Sequence, residues 1–212
     1  MKLYTYFRSS AAFRVRIALN LKGLSYESVA KTLVNNEHRA AEYLAVNPHG
    51  LVPALEIDGA VLSQSLAIIE YLDETHPTPP LLPPDPLGRA RVRSMALAIA
   101  CEIHPLNNLR VLTYLRGELK RDDDAVNQWY RHWITEGFTG LEAQVRQSST
   151  TKRYCYGDSV SLADVLLVPQ VFNARRFNTD LTAFPTLTAI SAHLEFLPAF
   201  AAARPQAQPD AK

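Results

Sequence analysis

The sequence predicts an α/β domain with a mixed sheet, followed by an all-helical domain. Over residues 1–76, strand-like and helix-like patterns alternate in the order βαβ and then ββα. The segment 77–86 is too rich in proline to continue a helix or a central strand, so it is predicted to be a stiff linker. Residues 87–203 show only helical patterns, and residues 204–212 are predicted to be a loose tail.

The first half of the α/β domain is predicted as strand, helix, strand and helix. A strand at residues 2–6 precedes a helix whose apolar residues share one face, namely Phe13, Ile17 and Leu21. Gly23 can end that helix because glycine tolerates the left-handed conformation. A second strand is predicted at residues 26–30 and a short helix at residues 39–46.

The second half of this domain is predicted as a hairpin and a helix. The pair Asp58-Gly59 lies between two short apolar runs, which is typical of a two-residue β-hairpin. A helix at residues 64–74 follows, with one apolar face formed by Leu66, Ile69 and Leu72.

The second domain is predicted to contain helices at residues 87–119, 123–147, 162–175 and 186–195. Pro105 lies within the first of them, where it lacks an N–H and clashes with the carbonyl of Cys101, so a kink is expected. Ser161 and Asp164 match a capping box at the start of the third.

The composition excludes several classes of function. A net charge of +1 over 212 residues argues against binding to nucleic acid or an anionic membrane. No apolar run is long enough to span a bilayer, and the N-terminus begins in a strand pattern rather than a signal peptide. Two isolated cysteines, Cys101 and Cys155, favour free thiols in a reducing cytoplasm. The histidine spacing predicts no metal site, and there is no glycine-rich phosphate loop.

The segment Arg8-Ser9-Ser10 lies where the first strand passes into the first helix. Unpaired N–H groups and partial positive charge at a helix start stabilise an anion, and hydroxyls and a guanidinium add to this. A thiolate, phosphate or carboxylate would suit such a site. The same residues are equally compatible with an ordinary serine N-cap beside a surface arginine.

Two further pairs in the first domain have both a functional and a structural interpretation. A cis bond at Val52-Pro53 would allow the Val52 backbone to pair with a peptide-like ligand, although the residues alone favour a trans proline that opens a strand. Gln64-Ser65 begins a helix and suits either a bound carboxylate or a helix cap.

The helical domain contributes two polar groups. Helical spacing predicts that His104, Asn107 and Asn108 share a face beside the kink, with Arg110 nearby. That face either lines a cavity or is simply solvated. At the end of a strongly apolar helix, Arg175 and Arg176 either complement the helix dipole or bind a substrate carboxylate.

Taken in order, these motifs resemble the zeta class of the glutathione S-transferase family. The resemblance covers nearly the whole chain and rests on six groups in register: residues 8–19, 47–48, 52–55, 64–65, 103–106 and 173–177. It implies a thioredoxin-like first domain, glutathione as cofactor and a homodimer. Ala11 and Ala12 stand where the class signature has Cys and Ser, so a mechanism that needs that cysteine is excluded.

The resemblance also implies roles for individual residues. Ser9, Ser10 and Arg8 would be catalytic, with Ser9 or Ser10 stabilising the thiolate. Glutathione would contact Ser10 and the residues Val52, Pro53, Gln64, Ser65, His38, His104 and Asn108. His38 and His104 stand where the family has Gln.

The implied reaction is a cis–trans isomerisation of a maleyl diketo acid. Thiolate addition would turn the conjugated double bond into a single bond that rotates before the thiol leaves. Arg8, Arg110 and Arg176 would balance the charge of the dianionic substrate. Maleylpyruvate is the expected substrate, and maleylacetoacetate is the second candidate. The sequence also leaves room for a conjugating glutathione transferase and for a binding module without activity.

Overall fold

The computed structural model describes residues 1–148 and 153–211, which form two compact units. The first unit comprises Met1–Leu81 together with the segment from Glu195 onward, and the second comprises Leu82–Leu194. The helical domain predicted over residues 87–203 therefore ends earlier than expected. Residues 149–152 of that predicted domain, and Lys212 of the predicted tail, lie outside the described residues.

The first unit contains the predicted mixed sheet. Its four strands are β1 (Lys2–Thr5), β2 (Glu27–Ala30), β3 (Ala54–Ile57) and β4 (Ala60–Ser63). They lie in the order β2-β1-β3-β4, with β1 parallel to β2 and antiparallel to β3. At the predicted hairpin turn Asp58 and Gly59 have φ values of 50° and 77°, as a type I′ turn requires.

Three helices follow the strands of this unit, α1 (Ser10–Leu21), α2 (Ala41–Val46) and α3 (Ser65–Thr75). Short 3₁₀ turns at Leu33–Asn35 and Glu37–Arg39 precede α2. Gly23 has a φ of 66°, and Leu24 N–H donates to the Leu19 carbonyl, so α1 ends in the predicted glycine cap. On α3 the fully buried residues are Ile68, Ile69 and Leu72, whereas Leu66 is half-buried.

The second unit is helical, as predicted. Its helices are α4 (Pro86–Leu97), α5 (Leu109–Gly117), α6 (Asp123–Ser148), α7 (Leu162–Arg176) and α8 (Pro185–Leu194). No helix within the described ranges is long and apolar enough to cross a membrane.

The single helix predicted over residues 87–119 is wrong. After α4 the chain forms a π-helix at Ala98–Ile103, in which His104 N–H donates to the Ile99 carbonyl at 2.9 Å. Residues 104–107 then form a turn before α5 begins. Pro105 lacks the N–H that the next helical bond would need, so a wider turn and a break replace the expected kink.

The end of the predicted helical domain and the described part of the predicted loose tail, residues 204–211, belong to the first unit. The helix α9 (Pro198–Ala203) contacts α1, and a 3₁₀ turn at Pro205–Ala207 follows. The reason lies in α1, where the fully buried Arg16 needs hydrogen-bond acceptors. Its Nε donates to the Ala203 carbonyl at 3.1 Å, and Asn20 Nδ2 donates to the Ala199 carbonyl at 2.9 Å.

The proline-rich segment is bound to the first unit as far as Leu81. Lys22 Nζ donates to Asp73 Oδ1 at 2.6 Å and also to the Pro79 carbonyl. Asp73 Oδ1 accepts a second bond, from Leu81 N–H at 2.9 Å. One carboxylate on α3 therefore ties the end of α1 to the proline-rich segment.

Candidate active site

The strand register brings the predicted site residues of the first unit to one end of the sheet. Tyr4 of β1 pairs with Ala54 of β3, and Ala54 pairs with Ser63 of β4. The residues that follow β1, precede β3 and follow β4 therefore lie side by side. These are the loop 6–9, the pair Val52-Pro53 and the pair Gln64-Ser65.

Ser9 is the N-cap of α1. Its Oγ accepts a hydrogen bond from Ala12 N–H at 3.2 Å, and its own N–H donates to the Tyr6 carbonyl at 2.9 Å. The cap uses a lone pair of the hydroxyl oxygen and not its hydrogen. Ser9 is therefore a helix cap and, at the same time, able to donate a hydrogen bond to an anion at the helix start.

Arg8 and Ser10 flank this cap differently. The Arg8 side chain is exposed, and its guanidinium carbon lies 4.9 Å from the centre of the Phe7 ring. Ser10 is the first residue of α1 and is buried. Arg8 is thus placed to meet a ligand from solvent, whereas the Ser10 side chain lies inside the unit.

The Val52–Pro53 peptide bond is cis, as the family resemblance implied and contrary to what the residues alone favour. Val52 is buried and belongs to a small apolar cluster whose buried members include Tyr6 and Tyr43. Burial raises the pKa of Tyr43 to about 12. Its hydroxyl donates to the Leu51 carbonyl at 2.7 Å, which fixes the backbone next to Val52.

Gln64 has an unusual backbone conformation, with φ 70° and ψ 118° at the N-cap of α3. A residue with a Cβ rarely adopts positive φ, and such strain of about 1–3 kcal/mol is concentrated at functional sites. The next residue, Ser65, is buried, and its Oγ accepts a hydrogen bond from Arg14 Nη1 at 3.3 Å. The positively charged Arg14 therefore polarises the Ser65 hydroxyl at the start of a helix.

Sequence reasoning missed the two buried arginines, Arg14 and Arg16. Both lie in α1 and are at most 1% exposed. The sequence signal for their burial is that α1 is apolar on every side. Such a helix is buried all round, and the arginines within it are then buried as well. Arg14 supports Ser65, and Arg16 donates to carbonyls of the loop that leads to Ser9.

His38 lies in the 3₁₀ turn before α2 and is buried. Its Nδ1 atom has no hydrogen-bond partner within the described part of the chain. Burial, helped by the positive charge of Arg39, lowers the pKa of His38 from its usual value of 6.5. The neutral imidazole is therefore favoured at neutral pH, with a polar atom left for a ligand.

This lowered pKa makes the stability depend on pH. Below pH 6.5 the unfolded chain binds a proton at His38 more readily than the folded chain, so the free energy of unfolding falls as the pH falls. We expect the stability of the wild type relative to His38→Gln to decrease between about pH 7.5 and 5.5. Urea denaturation of both proteins across that range checks this, and a constant difference would contradict it.

In the helical unit, the turn before α5 and the residue that follows α7 both contact one turn of α6. Asn107 Nδ2 donates to the Tyr130 carbonyl at 3.1 Å, and Trp129 Nε1 donates to the Leu106 carbonyl at 2.9 Å. On Tyr130, the ring of Phe177 is stacked at a centroid distance of 3.5 Å. The Arg176 guanidinium carbon lies 5.0 Å from the centre of that Phe177 ring.

The predicted helical face formed by His104, Asn107 and Asn108 is wrong, because these residues lie in the turn between the π-helix and α5. Asn107 is buried, whereas Asn108 is the N-cap of α5 and accepts from Arg110 N–H at 3.1 Å. His104 is half-buried, and Arg110 and Arg176 are exposed. The turn that contains Asn107 and the end of α7 nevertheless meet at one residue, since Asn107 and Phe177 both contact Tyr130.

The structure also locates the metal-ligating side chains and the cysteine thiols. Over residues 1–148 and 153–211, no group of three or more metal-ligating side chains is present. Cys101 and Cys155 are free thiols, and burial raises the pKa of the Cys155 thiol well above its usual value. A buried thiol of this kind is a poor nucleophile.

Comparison with known proteins identifies the family of this chain. A family model described as the glutathione S-transferase N-terminal domain matches residues 1–74, which include the site residues of the first unit. The chain is 55% identical over 212 residues to a probable maleylacetoacetate isomerase of Vibrio cholerae, covering 99% of this chain and 97% of that protein.

Solved structures give the same result over the full length. The holo structure of a maleyl pyruvate isomerase, described as a bacterial glutathione S-transferase in the zeta class, has a TM-score of 0.98 and 49% identity, with both chains fully covered. A maleylacetoacetate isomerase of Methylobacterium extorquens AM1, solved with malonate and glutathione, has a TM-score of 0.96 and 43% identity, again with full coverage. The chain belongs to the zeta class of the glutathione S-transferase family.

Proposed function

We propose that this protein is a glutathione-dependent cis–trans isomerase of maleyl diketo acids, with maleylpyruvate as its substrate and maleylacetoacetate as the second candidate. The observation that carries the proposal is the convergence of Ser9, Val52-Pro53 and Gln64-Ser65 at one end of the sheet. Two relatives that cover the whole chain are named as isomerases of these acids, and one of their structures holds both malonate and glutathione.

The residues at this end of the sheet fit glutathione. The start of α3, with Ser65 backed by Arg14, suits the γ-glutamyl carboxylate, because both the helix terminus and the polarised hydroxyl favour an anion. Val52 would pair with the peptide backbone, and His38 would meet the glycyl end with its unpartnered Nδ1. In the helical unit, His104 and Asn108 are proposed as further contacts.

The start of α1 provides the electrostatic part of the mechanism. Bound glutathione would supply a thiolate that adds to the conjugated double bond and leaves again after rotation about the resulting single bond. Ser9 donates its hydroxyl hydrogen to the sulfur, and the N-terminal end of α1 lowers the pKa of the thiol. Ser10 is a second residue of the same helix start.

The arginines balance the charge of the acid. Arg8 is exposed beside Ser9, and Arg110 and Arg176 are exposed in the helical unit. A substrate with two carboxylates gains further negative charge when its double bond is attacked, so guanidinium groups stabilise the transition state more than the ground state.

We expect Arg8→Met and Arg176→Met each to reduce kcat/KM for isomerisation by about 10- to 100-fold, while glutathione affinity changes little. A charge-assisted hydrogen bond is worth about 1.5–3 kcal/mol, which sets that range. Arg116→Met is the matched control, because Arg116 is exposed and paired with Asp123 at 2.8 Å. Wild-type kcat/KM in both variants would make the assignment of these arginines wrong.

The decisive experiment compares kcat/KM for maleylpyruvate and maleylacetoacetate, with and without glutathione. Turnover of maleylpyruvate that depends on glutathione supports the proposal, and a preference for maleylacetoacetate supports the second candidate. Retention on a glutathione column without isomerisation would indicate a conjugating transferase. An inactive binding module would neither bind glutathione nor isomerise either acid.

We further propose that the protein acts as a homodimer in the reducing cytoplasm. The dimer is suggested by the family, and the location by the use of two unpaired cysteines. Sedimentation equilibrium measures the first, and the distribution of activity in cell fractions measures the second.

A further inference from the structure

The loop 6–9 that presents Arg8 and Ser9 is held by a residue near the end of the chain. Phe7 N–H donates a hydrogen bond to Asp210 Oδ2 at 2.9 Å. Phe7 precedes Arg8 and is two residues from the α1 N-cap, so this bond acts on the backbone that sets the direction of both side chains. Both partners belong to the first unit.

Arg16 holds the same loop through its carbonyl groups. Its guanidinium donates to the carbonyls of Tyr6 at 3.4 Å and Phe7 at 3.1 Å, and to Thr5 Oγ1 at 3.0 Å. In the Tyr6–Phe7 peptide unit, the N–H is thus fixed by the negative charge of Asp210 and the carbonyl by the positive charge of Arg16. A peptide unit bound on both sides has little freedom to rotate.

The two charges also stabilise each other. Burial lowers the pKa of Arg16 to about 10, and the negative charge of Asp210 opposes that shift. Asp210 Oδ1 is buried and has no hydrogen-bond partner within the described residues. Burial of a carboxylate oxygen costs free energy unless nearby charges and donors offset it. Here the positive charge of Arg16 and the hydrogen bond from Phe7 N–H offset that cost.

The segment before Asp210 is itself anchored. Pro205 is buried, and Gln208 Nε2 donates to the carbonyls of Ala202 and Arg204, each at 2.9 Å. Ala203 accepts from Arg16. Asp210 therefore reaches the loop from a structured support rather than from a free chain end.

We propose that Asp210 is a positioning residue for the reaction, acting through the Tyr6–Phe7 peptide unit to orient Ser9 and Arg8. The inference rests on the proposed function for its kinetic consequence, but the contact itself does not. Asp210 bonds to the loop backbone, so its effect falls on orientation and not on the chemistry directly.

The test compares Asp210→Ala, Asp210→Asn and the wild type. Asp210→Ala removes the acceptor, so it should lower kcat/KM for isomerisation by about tenfold. It should also raise the pKa of the bound glutathione thiol, which ultraviolet difference spectroscopy measures. Affinity for S-methylglutathione, which has no thiol to ionise, should stay unchanged. Asp210→Asn keeps an acceptor oxygen and should recover most of the loss.

A second readout is independent of activity. Amide hydrogen exchange of Phe7 should become faster in Asp210→Ala, and it should remain slow in Asp122→Ala, in which a carboxylate that accepts Ala125 N–H at 2.8 Å is removed from the helical unit. Unchanged exchange, thiol pKa and kcat/KM in Asp210→Ala would overturn the proposal. A loss of affinity for S-methylglutathione as large as the loss of kcat/KM would also overturn it, because such a loss indicates a general structural defect.

The two proposals fail in different ways. If the wild type isomerises neither acid, the proposed function is wrong, while Phe7 exchange and the thiol pKa still report on Asp210. If the wild type is active and Asp210→Ala matches it in every measurement, the positioning role alone is wrong.

Discussion

Ser9→Ala is expected to reduce kcat/KM for glutathione-dependent isomerisation by about a hundredfold or more. Removal of one preorganised donor to a developing anion has that magnitude in other enzymes. In the structure the Ser9 oxygen accepts from Ala12 N–H, which leaves the hydroxyl hydrogen available to donate to an anion. The pKa of the bound thiol should rise in parallel, measured by its ultraviolet absorbance.

The control must separate catalysis from capping, because Ser9→Ala also costs the N-cap about 1 kcal/mol. Glycine caps a helix within a few tenths of a kcal/mol of serine but has no hydroxyl. Ser9→Gly should therefore have nearly the same free energy of unfolding as the wild type. It should still lose as much kcat/KM as Ser9→Ala. If Ser9→Gly retained wild-type kcat/KM, the hydroxyl would not be the catalytic group.

Asp164→Ala is expected to lower the free energy of unfolding of the helical unit by about 3–5 kcal/mol. The fully buried carboxylate accepts from Cys155 N–H at 2.7 Å, Ser161 N–H at 2.8 Å and Ser161 Oγ–H at 2.7 Å. Alanine would leave these buried donors without an acceptor. Both tryptophans, Trp129 and Trp133, lie on α6 of this unit, so urea denaturation followed by fluorescence reports on it.

An exposed cap gives the matched comparison. Asp85 caps α4 by accepting Gly88 N–H at 2.7 Å, but its side chain is exposed to solvent. Asp85→Ala should cost only about 1 kcal/mol, because water can satisfy the released donor. Equal losses in the two variants would show that burial of the Asp164 carboxylate adds nothing.

Most of the fold could be predicted because its signals are local. The Asp58-Gly59 turn, the Gly23 cap and the Ser161–Asp164 capping box each depend on a few adjacent residues, and all three are confirmed. The prediction for residues 87–119 fails for a different reason. Pro105 predicts a disturbance of the helix, but whether a helix bends or breaks depends on packing that no local pattern encodes.

The errors concerning the tail and the buried arginines have one cause. Nothing in the residues around Arg16 indicates that its guanidinium needs a carbonyl from residue 203. The tail composition, with its prolines and glutamines, is that of a solvated segment, yet long-range hydrogen bonds order it. Composition and periodicity carry no information about contacts between residues that are far apart in the chain.

The sequence predicts the parts of the site but not their arrangement. The residues Ser9, Val52-Pro53 and Gln64-Ser65 can each be interpreted as a cap or a turn, and only the register of β1, β3 and β4 places them side by side. Conversely, helical spacing groups His104, Asn107 and Asn108, although a turn and the stacked Tyr130–Phe177 pair hold that region together.

The return of α9 to the first unit has a consequence for biosynthesis. A ribosome makes residues 1–81 well before it makes the segment from Glu195 onward, and the whole helical unit is translated in between. During that interval Arg16 lacks its Ala203 acceptor and Phe7 lacks Asp210. The nascent first unit therefore completes its core only after the second unit has been synthesised, which exposes the face of α1 that α9 covers to chaperones or to aggregation.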